Sequence, residues 1–180
     1  VPWPLAAAIC LLVIAPLLGL LLEALARTLA GAGPEYQIVA TVGVLIAVQG
    51  LATAVYGPAA RSFESILPTS ATEIGGVRVG VDQLLIMAVA LLSAVALYAF
   101  FRWSQTGLAM RALVDRADLL SLTGTSARRT RRLAWIIGTV FAAASGILLA
   151  PTIGLDAVLL SFLVIQAFGA AAVGGFSSLP

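Results

Sequence analysis

Few residues in this chain are able to do chemistry. It has no His, one Cys and, among ten basic residues, no Lys. A Ser/His/Asp arrangement, a His- or Cys-based metal centre and a phosphate-binding Gly-Lys loop are therefore excluded. Cys10 lies in an apolar run and reads as a small apolar filler, and a disulfide framework is ruled out. No metal and no cofactor is expected. The residues do not point to covalent catalysis, and the charged ones concentrate in one stretch. Arg102, Arg111, Arg116, Arg128, Arg129, Arg131 and Arg132 are seven of the ten basic residues, all in the polar segment 102–132.

The middle of that segment has its own pattern. Asp115, with Asp118 three residues later, resembles a capping arrangement. Residues 118–123 then predict a helix of one to two turns, and Gly124 suits its C′ position. Leu119 and Leu122 fall on one side and form an apolar knob; Leu120 stands between them. Such a helix either docks in a partner's groove or lies flat on a membrane surface. Thr125 or Ser126 is placed to cap the helix that follows.

The flanking elements are apolar. The chain is 61% hydrophobic and 10% charged, with mean hydropathy +1.09, whereas a soluble domain carries roughly 25% charge. Five runs are long enough, or nearly so, to cross about 30 Å of hydrocarbon as helices: 5–22, 38–56, 84–101, 133–150 and 157–174. Pro16 is expected to kink the first. Glu23 and Arg27 mark an interfacial turn after it. Asp82 and Asp156 are expected N-caps. Residues 157–174 either span fully or break at their Gly-rich end. Around Gly75-Gly76, EIGGVRV predicts a small β-hairpin on the membrane surface. Gln49 and Gln166 are mid-run amides, each either helix–helix glue or part of a substrate path. Gly138, Ala142 and Gly146 recur every four residues and make a smooth face for close helix packing.

Basic residues orient the whole. Segment 102–132 is cytoplasmic by the positive-inside rule. Alternation puts 57–80 and 152–156 outside and 23–35 inside, so the outer loops hold only Arg61 and Arg78. The fold class is an all-α polytopic membrane protein of about five transmembrane helices, with an extracellular β-hairpin and a short cytoplasmic helix. The chain starts at Val1 and stops after a Gly-rich run, which reads as an internal fragment with no signal peptide.

The sequence resembles the branched-chain amino acid permeases of bacterial ABC importers. The resemblance rests on IVATVGVLIAVQGLA in the second run, RSFESILP and EIGGVRV in the outer loop, and TGLAMRAL followed by DLLSLTG in the inner loop. AAASGILLAP and AFGAAAVGGFSSLP extend it to the end. It implies that residues 1–180 are part of one importer transmembrane domain in the bacterial inner membrane. A second, homologous permease, two cytoplasmic ATPase subunits and an extracytoplasmic amino-acid-binding protein would be its partners. The helix containing Asp118, Leu119 and Leu122 would be the coupling helix. Two small residues are usual after the acidic position, but Leu119 and Leu120 stand there, which implies a differently shaped ATPase groove. The nearest alternative is a simple-sugar permease of the same superfamily, whose path would be richer in hydrogen-bonding side chains than Gln49 and Gln166. A membrane scaffold or intramembrane enzyme is further off, because no paired acids, His or Cys sit at mid-span. No filter-like loop suggests a channel.

Overall fold

The computed structural model describes residues 2–57, 59, 71–74, 77–115 and 124–174. Helix α1 is Trp3–Ile9, continued by a wide π-helical turn, Cys10–Ile14, and by α2, Ala15–Leu29. Then come α3, Pro34–Tyr56, strands β1, Ala71–Ile74, and β2, Val77–Gly80, and α4, Val81–Trp103. The chain closes with α5, Gln105–Asp115, α6, Ala127–Ile153, and α7, Ala157–Val173. Among the described residues, four helical stretches are long and apolar enough to cross a membrane: Trp3–Leu29, Glu35–Tyr56, Val81–Trp103 and Ala127–Ile153. The architecture is that of an all-α polytopic membrane protein. In lipid every backbone polar group must be satisfied within the segment, which a helix does by itself.

Contacts divide the chain into two units, residues 1–20 with 65–144, and residues 21–64 with 145–180. In the first unit α5 packs on α4, and β1 pairs antiparallel with β2 in the register Ala71–Gly80 to Ile74–Val77. In the second, α3 packs against α7. The apolar side chains of α3, among them Ile38, Val42, Ile46 and Val55, are exposed. A helix with polar surroundings would hide them; here they suit contact with lipid.

Three local features add to or depart from the sequence expectations. The first helical stretch runs on to Leu29, so Glu23 sits within the helix rather than in an interfacial turn. It is only 2% exposed and shares a face, at intervals of four, with the buried Ala15 and Gly19. Secondly, Pro16 follows a wide turn in which the Ala15 N–H donates to the Cys10 carbonyl. A proline ring crowds the carbonyl four residues back and offers no N–H; widening the preceding turn makes room for it. Thirdly, Asp82 lies in the first turn of α4, whose N-cap is Gly80, and makes no side-chain cap bond. Its carboxylate lies over the Gly80 α-carbon, where a Cβ would collide with it. A carboxylate in the first turn still favours the helix through the macrodipole.

Asp156 does cap α7: its Oδ1 accepts from the Leu159 N–H at 3.2 Å. Helix α7 is unbroken through its 17 residues, about 25 Å long at 1.5 Å per residue. Between α2 and α3, the Gln37 side-chain amide donates to the carbonyls of Leu29 (3.2 Å) and Ala32 (3.1 Å). It thereby serves carbonyls that a helix C-terminus leaves without intrahelical partners.

Candidate functional site

The site of interest is built where α4, α5 and the start of α6 meet. Helix α4 ends in a polar-aromatic collar. The Arg102 guanidinium donates to the Tyr98 hydroxyl at 3.1 Å and lies 5.9 Å from the same ring's centroid. Phe100 and Phe101 meet edge-on at 5.5 Å, and Trp103 is 76% exposed. Aromatic rings and arginine in this arrangement mark the boundary between hydrocarbon and headgroups. Ser104 then takes extended backbone, φ −84° and ψ 135°, and stops α4.

Helix α5 starts immediately and turns back onto α4. The Leu108 N–H donates to the Ser104 carbonyl at 2.9 Å, beginning the new helix. Gly107 is buried against the end of α4. A Cβ there would collide with the Phe100 carbonyl oxygen and come within 2.7 Å of the Phe101 α-carbon. Those obstacles are backbone and cannot swing aside, so this position admits only glycine. Met110, 5% exposed, is the other buried anchor of α5, while Leu108 and Arg111 are exposed.

Asp115 is the last residue of α5. Asp118, Leu119, Leu120 and Leu122, with Arg116, lie outside the described residues. The chain is described again from Gly124, whose φ of +77° is the left-handed conformation expected of a C′ glycine. Of the two cap candidates, Thr125 and Ser126, it is Ser126 that caps α6. Its Oγ accepts from the Arg129 N–H at 3.4 Å, and its carbonyl accepts from the Thr130 N–H at 3.1 Å. The Thr130 hydroxyl also donates to that carbonyl, at 3.2 Å, and Thr130 is 4% exposed. Between α5 and this first turn of α6 is a cavity of about 350 Å³, lined by Gln105, Thr106, Ser126, Arg129, Thr130 and Leu133 among others.

The other sequence candidates are dispersed. Gln49 is half-buried on α3 and Gln166 exposed on α7; among the described residues no hydrogen bond joins their amides. Gly138 and Ala142 help line a shallower recess of about 300 Å³ on α6, with Trp135 and Thr139. A Cβ added at Gly138 or Gly146 would meet nothing within 4 Å. The close helix approach lies one residue further round α6: a Cβ at Gly19 of α2 would be 2.6 Å from Thr139 Oγ1 and 3.0 Å from the Ile136 α-carbon. Sequence reasoning passed over both Gly19 and Gly107. The signal for the first was Ala15 and Gly19 spaced by four in an apolar run. For the second it was a glycine in the first turn of a helix that starts two residues after another ends.

Over residues 1–180 the chain matches the family described as branched-chain amino acid transport system / permease component. It belongs to that family. Relatives include the high-affinity branched-chain amino acid transport system permease protein LivH of Salmonella typhimurium and that of Escherichia coli. Each is 35% identical over 99 residues, 54% of this chain and 32% of the relative. The corresponding protein BraD of Pseudomonas aeruginosa is 27% identical over 159 residues, 86% of this chain and 52% of BraD. The chain thus spans about a third of the length of LivH and half that of BraD. No solved structure matches it. Membership of a permease family agrees with the four long apolar helices and makes the chain a multi-pass membrane protein.

Proposed function

We propose that the chain is the membrane-spanning permease part of an ABC importer that moves branched-chain, hydrophobic amino acids across the bacterial inner membrane. The observation that carries this reading is the family match over residues 1–180. The names of LivH and BraD support the substrate class. A second permease, two cytoplasmic ATPase subunits and an extracytoplasmic amino-acid-binding protein complete the importer. The chain itself carries no catalytic residues; hydrolysis of ATP belongs to the partner chains.

In this reading residues 118–123 form the coupling helix, with Asp115 ahead of it at the end of α5 and Gly124 at its C′ position. Asp118 starts it, and Leu119, Leu120 and Leu122 meet the ATPase. The tight seat of α5 on α4 at Gly107 supports the reading, because a rigid joint passes a push from the loop into the spans. ATP closes the ATPase dimer, the coupling helix follows, and the spans rock about a cavity that Gln49 and Gln166 help line. The open face at Gly138, Ala142 and Gly146 is a surface over which a neighbouring helix slides. Strands β1 and β2 form a hairpin on the outer face.

Reconstituted with its partners, the importer should accumulate labelled leucine and not labelled ribose; the reverse would move the chain to the sugar permeases. Leu119→Asp and Leu122→Asp should abolish uptake while ATP hydrolysis and membrane insertion continue. Full uptake in both variants would remove the coupling assignment.

A further inference from the structure

We propose that the cavity between α5 and the first turn of α6 holds the phosphate of an anionic phospholipid headgroup. Its volume, about 350 Å³, is within the ~300–1,000 Å³ typical of small-ligand sites. Its chemistry is that of hydrogen-bond donors. Gln105, Thr106, Ser126 and Arg129, all able to donate through their side chains, are among the residues that line it, and among the described lining residues there is no carboxylate. Ser126 Oγ accepts from the Arg129 backbone, which leaves its own proton to give. The Thr130 hydroxyl proton is already given to the Ser126 carbonyl, so Thr130 forms a wall rather than a ligand. A phosphodiester is all acceptor and singly negative, and it complements this set.

Depth selects the source. Leu133, one of the lining residues, begins the apolar run of α6. Gln105, another, follows Trp103 and Arg102, the aromatic and basic collar that ends α4. The cavity therefore lies at headgroup level, where a lipid phosphate is always present and its acyl chains can run along the neighbouring apolar helices. The positive-inside orientation makes this the cytoplasmic leaflet.

The test is lipid binding by the purified chain in detergent, read by native mass spectrometry, and it does not depend on transport. Phosphatidylglycerol and phosphatidylcholine with identical acyl chains are the probes. The expected result is at least about tenfold preference for phosphatidylglycerol, reduced about tenfold by Arg129→Ala, the loss expected for a direct charged hydrogen bond. Arg128→Ala, one residue away, exposed and not lining the cavity, should cost less than about fivefold, the share of a general surface charge. Thr106→Val alters no charge and should also weaken binding. Equal binding of the two lipids, equal losses in the Arg128 and Arg129 variants, or an unaffected Thr106→Val variant would overturn the proposal. So would displacement of phosphatidylglycerol by sodium phosphate alone, which would make the site one for a soluble anion.

Discussion

Gly19→Ala measures how closely α2 approaches α6. The added methyl would lie 2.6 Å from Thr139 Oγ1, and 3.0 Å from both the Ile136 α-carbon and the Trp135 carbonyl oxygen; ordinary contact begins at 3.4 Å. Thr139 cannot turn away without loss, because its hydroxyl donates to the carbonyls of Trp135 (2.9 Å) and Ile136 (3.0 Å). The helices must therefore part by about 0.8 Å, forfeiting dispersion contacts along the crossing, and overpacking of this kind costs about 1–3 kcal/mol. Alanine returns up to about 1 kcal/mol of helix propensity. The net loss is about 1–2 kcal/mol, or a fall of about 2–8 °C in the unfolding midpoint of a chain of this size. Removing the hydroxyl changes the sum. In Gly19→Ala/Thr139→Ala only the 3.0 Å contacts remain, the separation needed drops to about 0.4 Å, and about half of the loss should return. Gly146→Ala is the control: a Cβ there meets nothing within 4 Å, so the midpoint should hold or rise. Thermal unfolding in detergent, followed by size-exclusion profile, reads all four proteins. A Gly19→Ala protein as stable as the parent, or a double variant no better than the single one, would refute the close approach.

Other perturbations follow the same geometry. Gly107→Ala meets only backbone, so α5 must swing off α4; leucine uptake should fall at least tenfold with the protein still inserted, measured in proteoliposomes with the partner subunits. Asp156→Ala removes the α7 cap and should cost about 1 kcal/mol, with Asp156→Asn recovering most of it in the same unfolding assay. Gln37→Leu strips hydrogen bonds from the Leu29 and Ala32 carbonyls and should loosen the α2–α3 turn by about 1–2 kcal/mol, visible as faster amide exchange at residues 30–33.

Much of this architecture is legible in the residues because lipid imposes a simple rule. Runs without charge must be helices, and arginines stay outside the hydrocarbon. The cap at Asp156 is legible in the same way, and the cap of α6 is narrowed to Thr125 or Ser126, of which Ser126 makes the bond. What the sequence hid is three-dimensional. Hydropathy stops the first run at Glu23 because a carboxylate looks like an end. The helix instead runs on, because Glu23 lies on the packed face with Ala15 and Gly19 rather than toward lipid. The small-residue pattern on α6 likewise suggested a contact face, but spacing does not say which side a neighbour takes; Thr139, not Gly138, meets α2. Gly107 escaped because a clash between consecutive helices depends on the angle at Ser104, which no periodicity encodes.

The wide turn at Cys10–Ile14 also bears on how this chain tolerates change in length. Each residue in a helix advances the facing direction by about 100°, so the turn fixes how the lipid-facing side of α1 is phased against the Ala15, Gly19 and Glu23 face. Substituting one apolar residue for another in that turn leaves the phase intact. Deleting one residue would tighten the turn, press Pro16 onto the carbonyl before it, and rotate everything before it by about a quarter of a circle. This first span should therefore drift freely in composition while its residue count from Trp3 to Gly19 stays fixed.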